Sequence, residues 1–256
     1  MRPIALELIR REVRRRLGLS VPPYPRRVRI TAFDASGCRF EITGPTEAFR
    51  VERFGDEEEN TRHLVDQIRS DDVVFDVGAC IGMIAVHAAA KGAHVVAFEP
   101  DPSYRRRLQR NLRLNRLHRR VRVEPMAITD RVGPVTLFTD GVEGWSPSLG
   151  TKGGRGSVEV PGTTVDAYVA ASGLRPTILK VDIEGAEGQA LEGASRTLAG
   201  DHPPRLVFLE LHPEYLPQFA TTREAVLKHL TEAGYEPAQQ QVRGAQEHWT
   251  FRPAGA

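Results

Sequence analysis

From residue 57 onward, short apolar runs alternate with amphipathic stretches, and no other feature restricts the fold of this chain as much. The runs Val73–Val77, His94–Phe98, 121–128, 178–182 and Leu206–Leu211 are apolar on both alternating faces, as strands of a parallel sheet covered on both sides must be. Between them, helical spacing of apolar residues predicts helices near 58–69, 83–91, 103–115, 186–198 and 222–233. Two more strands, about 235–242 and 247–252, follow with no helix between them, so the last is expected to enter the sheet antiparallel. The pattern predicts an α/β fold: a Rossmann-like, doubly wound, mostly parallel seven-stranded sheet with an antiparallel last strand, spanning residues 57–256.

Residues 1–56 read differently, as a small N-terminal helix and β-hairpin appendage. Leu6, Ile9, Val13 and Leu17 recur at helical spacing among Arg10, Arg11 and Arg14 to Arg16, giving a basic amphipathic helix expected to dock on the rest of the protein or on a second copy in a homo-oligomer. Pro22, Pro23 and Pro25 break it, and alternating residues around Asp34-Ala-Ser-Gly37 predict an antiparallel hairpin from 27–33 and 39–43. Cys38 and Cys80 are the two cysteines; they have no zinc-cluster spacing and imply a reducing, cytoplasmic setting. No apolar run approaches the length of a membrane span. The net charge of +2 does not call for a polyanionic partner, although 105–122 carries nine Arg and no acid.

Chemistry is expected where the first parallel strand ends. Asp76-Val-Gly-Ala-Cys-Ile-Gly82 has the spacing D-x-G-x-x-x-G at a strand-to-helix turn, the place where an open α/β sheet binds ligands. Glu99 ends the next strand and suits the two hydroxyls of a ribose. The dinucleotide fingerprint G-x-G-x-x-G is absent, which argues against a nicotinamide cofactor. A turn whose glycines serve packing alone is the bland alternative.

The order Asp76-Val-Gly-Ala, Phe98-Glu-Pro-Asp-Pro102, Leu108-x-x-Asn111-x-x-x-Asn115, Val160-Pro-x-x-Thr-Val-Asp166, Leu179-Lys-Val-Asp-Ile-Glu-Gly-Ala-Glu187 and Glu210-Leu-His-Pro213 resembles the FkbM family of class I methyltransferases over about residues 57–215. The resemblance implies S-adenosylmethionine as cofactor and O-methylation of a hydroxyl on a small molecule, a natural product or a sugar. It implies that Asp76, Gly78, Ala79, Cys80 and Gly82 face the methionine end, that Glu99 and Pro100 lie at the ribose, that Ala127 lines the adenine, and that Asp182 borders the cofactor. Cys80 departs from the family, which commonly has Asn there.

Asp182 follows the fourth strand, and Glu210 and His212 follow or end the fifth, so all three are expected at the reactive mouth. Removal of a hydroxyl proton suits a side chain titrating near neutrality, which ranks His212 first as base, Asp182 second, and Glu210 as its orienting partner. The same three groups would also suit a divalent cation, though the base reading is preferred and no metal is assigned. Glu184 and Glu187 have a structural explanation at a helix start. Trp145-Ser-Pro-Ser148, in the Gly-rich stretch 141–156, is read as a substrate gate. The competing function is an RNA methyltransferase using the Arg-rich 105–122 surface; nucleic acid is not the expected partner, because no base-holding N/D-P-P-Y/F motif or RNA-binding module is present.

Overall fold

A computed structural model describes residues 24–33, 37–52, 57–139, 147–150 and 156–255. The predicted helix within residues 4–17, and with it the proposed oligomer contact, lies outside the described residues.

The chain opens with a hairpin of β1 (Arg26–Ile30) and β2 (Cys38–Ile42), antiparallel as predicted, and a helix α1 (Pro45–Glu52) that the sequence reading missed. Then come α2 (Glu58–Gln67), β3 (Val73–Val77), α3 (Met83–Ala90), β4 (His94–Phe98), α4 (Pro102–Leu114) and β5 (Val121–Glu124). After an excursion through β6 (Ala127–Ile128), β7 (Gly133–Thr139), β8 (Gly156–Thr163) and α5 (Val165–Ser172), the alternation resumes. It continues with β9 (Ile178–Val181), α6 (Glu187–Glu192), α7 (Ser195–Ala199), β10 (Leu206–Leu211), α8 (Arg223–Glu232), β11 (Tyr235–Arg243) and β12 (Gln246–Pro253).

The main sheet has the order β11-β12-β10-β9-β3-β4-β5. Its inner pairs are parallel, and β12 lies antiparallel against β10. Strand residues are apolar on both faces because both are covered: in β4, Val95 and Ala97 pack with the hairpin, α3 and α4, whereas Val96 and Phe98 pack with α5 to α8. Ile30, Phe40 and Ile42 of the hairpin join the first of these cores. Because the chain leaves β3 for β4 on one side and returns to β9 on the other, the carboxyl ends of β3 and β9 flank the switch point where such sheets open a crevice.

Two expectations are corrected. The strand expected over 121–128 is two strands, and its second part pairs with β8 in a separate three-stranded sheet, β6-β8-β7. Pro125, which has no N–H to give to a ladder, falls at the break. The helix expected over 186–198 divides at Gly193, where a Cβ would fall 2.2 Å from the Thr129 carbonyl oxygen, so the chain turns there against the end of β6. Among the described residues no helix is long and apolar enough to cross a membrane.

Candidate active site

The turn after β3 is held by backbone geometry. Gly78 and Gly82 both have positive φ, 82° and 90°. A Cβ at Gly78 would fall 2.0 Å from the Asp182 carbonyl oxygen, and one at Gly82 would fall 2.3 Å from Leu108. Packing alone therefore accounts for both glycines. The turn is pinned to the end of β4 by the Gly78 and Ala79 N–H groups, which donate to the Phe98 carbonyl at 3.1 Å each.

Glu99 is 5% exposed, and its carboxylate accepts from the Cys80 N–H at 2.7 Å and the Asp101 N–H at 2.9 Å. Burial pushes its pKa up to about 8 against those hydrogen bonds. Arg105, the first of the Arg-rich stretch, donates to the carbonyls of Glu99 and Pro100 and so buttresses this loop. Burial likewise raises the Cys80 thiol to about 11 even though Arg50 donates to its sulfur at 3.2 Å, which leaves it a poor nucleophile at neutral pH.

Two adjoining lobes open at this crevice, of about 220 Å³ and about 70 Å³. The smaller lies among Glu99, Pro100, Met126, Ala127, Ile128 and Ile183. The larger extends from the glycine turn to α2 and the β11–β12 hairpin, and is lined there by Asn60, Gln239, Arg243, Gln246, His248 and Trp249. Arg50, Gly78, Cys80, Asp182 and Glu184 line both.

At the junction, Lys180 lies 3.2 Å from Asp76 and 3.2 Å from Asp182, and donates to the Gly78 carbonyl at 3.1 Å. Burial alone would lower the Lys180 pKa, but Asp182 and Asp76 overcome it and hold the ammonium charged. Asp182 is in turn held below the usual carboxylate range, its own burial being outweighed by Lys180 and His212. Glu210, which lines the larger lobe, is pushed upward by burial and by the charge of Asp182.

His212 is 1% exposed and lines neither lobe. Its Nδ1 lies 2.8 Å from Glu187 Oε1, and its Nε2 faces Glu210 Oε1 at 3.5 Å and Glu184 Oε2 at 3.8 Å. Burial would depress its pKa, yet the hydrogen bond to Glu187 and the carboxylates of Glu210 and Glu184 facing Nε2 win and raise it well above the usual histidine value. The ring is set behind the cavity wall. One donor atom from each of Asp182, Glu210 and His212 lies within 4.8 Å of the others, and the same holds for Glu57, Glu210 and His248.

Of the residues singled out in the sequence, Asp76, Gly78, Ala79, Cys80, Asp182 and Glu210 line the larger lobe, and Gly78, Cys80, Glu99, Pro100, Ala127 and Asp182 the smaller. Gly82 lines neither and packs on Leu108. Trp145 lies outside the described residues; Ser148 lines the smaller lobe and donates to the Glu184 carbonyl at 3.0 Å. Sequence reading missed Arg50, Glu57, Arg243 and Trp249, which only the tertiary fold brings to the crevice, and gave Glu187 a helix-start role where it holds His212. The one available signal for Lys180 was its place on β9, two residues before Asp182.

A family model described as "Methyltransferase FkbM domain" matches residues 76–237. The hexuronic acid methyltransferase AglP of Haloferax volcanii is 27% identical over 210 residues, covering 79% of this chain and 82% of that protein. A solved methyltransferase FkbM from Methylobacillus flagellatus superposes with a TM-score of 0.51 at 18% identity, over 75% of this chain; the match spans only 46% of that longer chain. The magnesium protoporphyrin IX methyltransferase of Synechocystis, solved with bound S-adenosylmethionine, gives a TM-score of 0.51 at 12% identity over 81% of this chain and 83% of its own. The two structural likenesses show a shared fold.

Proposed function

The chain belongs to the FkbM family of methyltransferases, and from that premise we propose that it methylates a hydroxyl oxygen of a sugar or similar small molecule, using S-adenosylmethionine. The observation that carries this reading is the cavity itself: two lobes that meet at Asp182 and Glu184, one bordered by the buried Glu99 carboxylate and the other by polar side chains and Trp249.

The residues fit the cofactor. Glu99 offers the acceptor that ribose hydroxyls require, Met126, Ala127 and Ile128 give an apolar wall for a flat base, and the carboxylates of Asp182 and Glu184 at the junction suit a sulfonium charge. When bound, S-adenosylmethionine supplies an electrophilic methyl group. Glu99, fixed by the Cys80 and Asp101 N–H groups, orients without reorganising. Lys180 fixes the glycine turn and Asp182 together. Asp182 and Glu210 are the carboxylates that face the cavity and are placed to receive the acceptor's proton, with His212 behind them.

The sugar class is supported by the named activity of the Haloferax relative and by the amides of Asn60, Gln239 and Gln246 around Trp249, groups that match hydroxyls and a ring face. The test is release of S-adenosylhomocysteine over a panel of sugars, uronic acids and hydroxylated natural products. Methyl ethers on a sugar ring are the expected product. Turnover confined to carboxyl groups or to nucleic acid would overturn the hydroxyl assignment.

A further inference from the structure

Asp182 stands just beyond β9, Glu210 within β10 and His212 just beyond it, so two neighbouring parallel strands bring their donors to one place. Acids crowded at strand ends do not make a metal site. The second observation is His212, fully buried, with its Nε2 lacking any hydrogen-bond partner and turned toward the carboxylates. Its opposite nitrogen is held by Glu187, whose carboxylate also accepts the Gly185 N–H at 2.8 Å and is itself completely buried. A histidine tied through one ring nitrogen to a buried carboxylate, with the other aimed at further carboxylates, is oriented as metal-bound histidines are.

The local charge points the same way. Asp76, Asp182, Glu184, Glu187 and Glu210 stand against Lys180 and Arg50, and the Lys180 ammonium is already divided between Asp76 and Asp182. The neighbouring trio, Glu57, Glu210 and His248, is the poorer choice, because no separate buried carboxylate orients its histidine: His248 Nδ1 lies 3.7 Å from Glu210, itself one of the three.

We propose that Asp182, Glu210 and His212 form a binding site for a divalent cation of the Mn²⁺ or Mg²⁺ class, with Glu187 as the positioning residue for His212. Two hard carboxylate donors and one imidazole suit such an ion. Its role rests on the methyltransfer reading above: Asp182 and Glu210 both border the larger lobe, so an ion held there would polarise an acceptor oxygen.

The experiment is an electron paramagnetic resonance titration of the full chain with Mn²⁺ alone, followed by pulsed detection of nitrogen coupled to the bound ion. One bound Mn²⁺ per chain with a coupled imidazole nitrogen is expected. H212A and E210Q should each weaken binding by at least about tenfold, E187Q by about 10- to 100-fold, and H248A should leave it unchanged. Failure to bind Mn²⁺ at millimolar concentration, binding without nitrogen coupling, or binding lost in H248A but kept in H212A would overturn the proposal. If H212A does not fold, the wild-type nitrogen coupling together with E210Q decides. Calorimetry with S-adenosylmethionine on the same protein separates the two readings: cofactor binding without Mn²⁺ binding removes the cation site alone, and Mn²⁺ binding without cofactor binding removes the methyltransfer reading alone.

Discussion

Glu99 is a structural side chain at the wall of the proposed cofactor pocket. Its two oxygens hold the glycine turn and the start of α4, yet it borders the smaller lobe. A hydrogen bond to a charged group contributes about 1.5–3 kcal/mol, so Glu99→Ala is expected to weaken S-adenosylmethionine binding by roughly 10- to 100-fold in calorimetry. Unchanged affinity would remove Glu99 from the site. Its pKa, raised by burial to about 8, gives a signed pH dependence. Cofactor affinity should rise with pH through about 8, because only the ionised group accepts freely from hydroxyls. Folding stability should move the other way: the native state binds this proton where the unfolded chain, with an ordinary glutamate pKa near 4.3, does not, so the contribution declines as pH rises from there toward about 8. A difference melt of wild type against Glu99→Gln across that range would show the slope, and a slope of the opposite sign would contradict the burial argument.

At the scale of elements, the resemblance motif Leu108-x-x-Asn111-x-x-x-Asn115 has a structural meaning. Asn111 and Asn115 lie four residues apart, one on the last turns of α4 and one just past its end, and reach the outer edge of β2 at alternate residues. Asn111 Oδ1 accepts from the Glu41 N–H at 3.0 Å, and Asn115 accepts from the Arg39 N–H at 2.8 Å and donates back to its carbonyl at 2.7 Å. The strand edge that would otherwise be open is thereby closed by side chains. Asn111 also donates to the Ile81 carbonyl at 2.9 Å, tying the hairpin to the glycine turn. Asn111→Ala leaves buried backbone groups unpaired and is expected to cost about 1–3 kcal/mol, with Asn115→Ala, at the exposed end, costing less. Hydrogen exchange should localise the loss to β2 and the turn; a uniform loss across the main sheet would mean that the amides act only through the core.

The inner strands of the main sheet were legible because their residues meet the core on both faces. Val73–Val77 and His94–Phe98 carry a continuous apolar signal because both faces of the sheet are covered. The small sheet was missed because only alternate residues of β7, Val135 and Leu137, are buried, and Gly133 and Pro134 mask the start of the pattern. The part of the crevice around the glycine turn was legible because Asp76, Gly78 and Glu99 sit at fixed offsets from strand ends. The rest of the larger lobe was not, because Arg50 and Glu57, near the start of the chain, meet Trp249, near its end, only in the tertiary fold.

For the molecule as a whole, the question left by the sequence is whether the arginines of 105–122 form a surface for nucleic acid. Several are already committed. Arg107 pairs with the buried Glu47 at 2.8 Å, Arg110 with Glu41 at 3.5 Å and Arg122 with Glu124 at 2.5 Å, while Arg105 is spent on the Glu99 loop. A net charge of +2 over 256 residues adds no long-range attraction of consequence. Any binding to RNA should therefore come from the remaining exposed arginines contacting phosphates, without base readout. Binding of that kind depends on counterion release, and a protein with 6–10 phosphate contacts loses about 10³–10⁵ in affinity between about 50 and 200 mM salt. Fewer contacts start weaker and fall less steeply. A filter-binding titration over this range should show weak association at low salt, the same for unrelated RNA sequences, and none at the upper end. Tight, sequence-selective binding that survives the higher salt would make the arginine surface a recognition site and move the acceptor from a sugar to RNA.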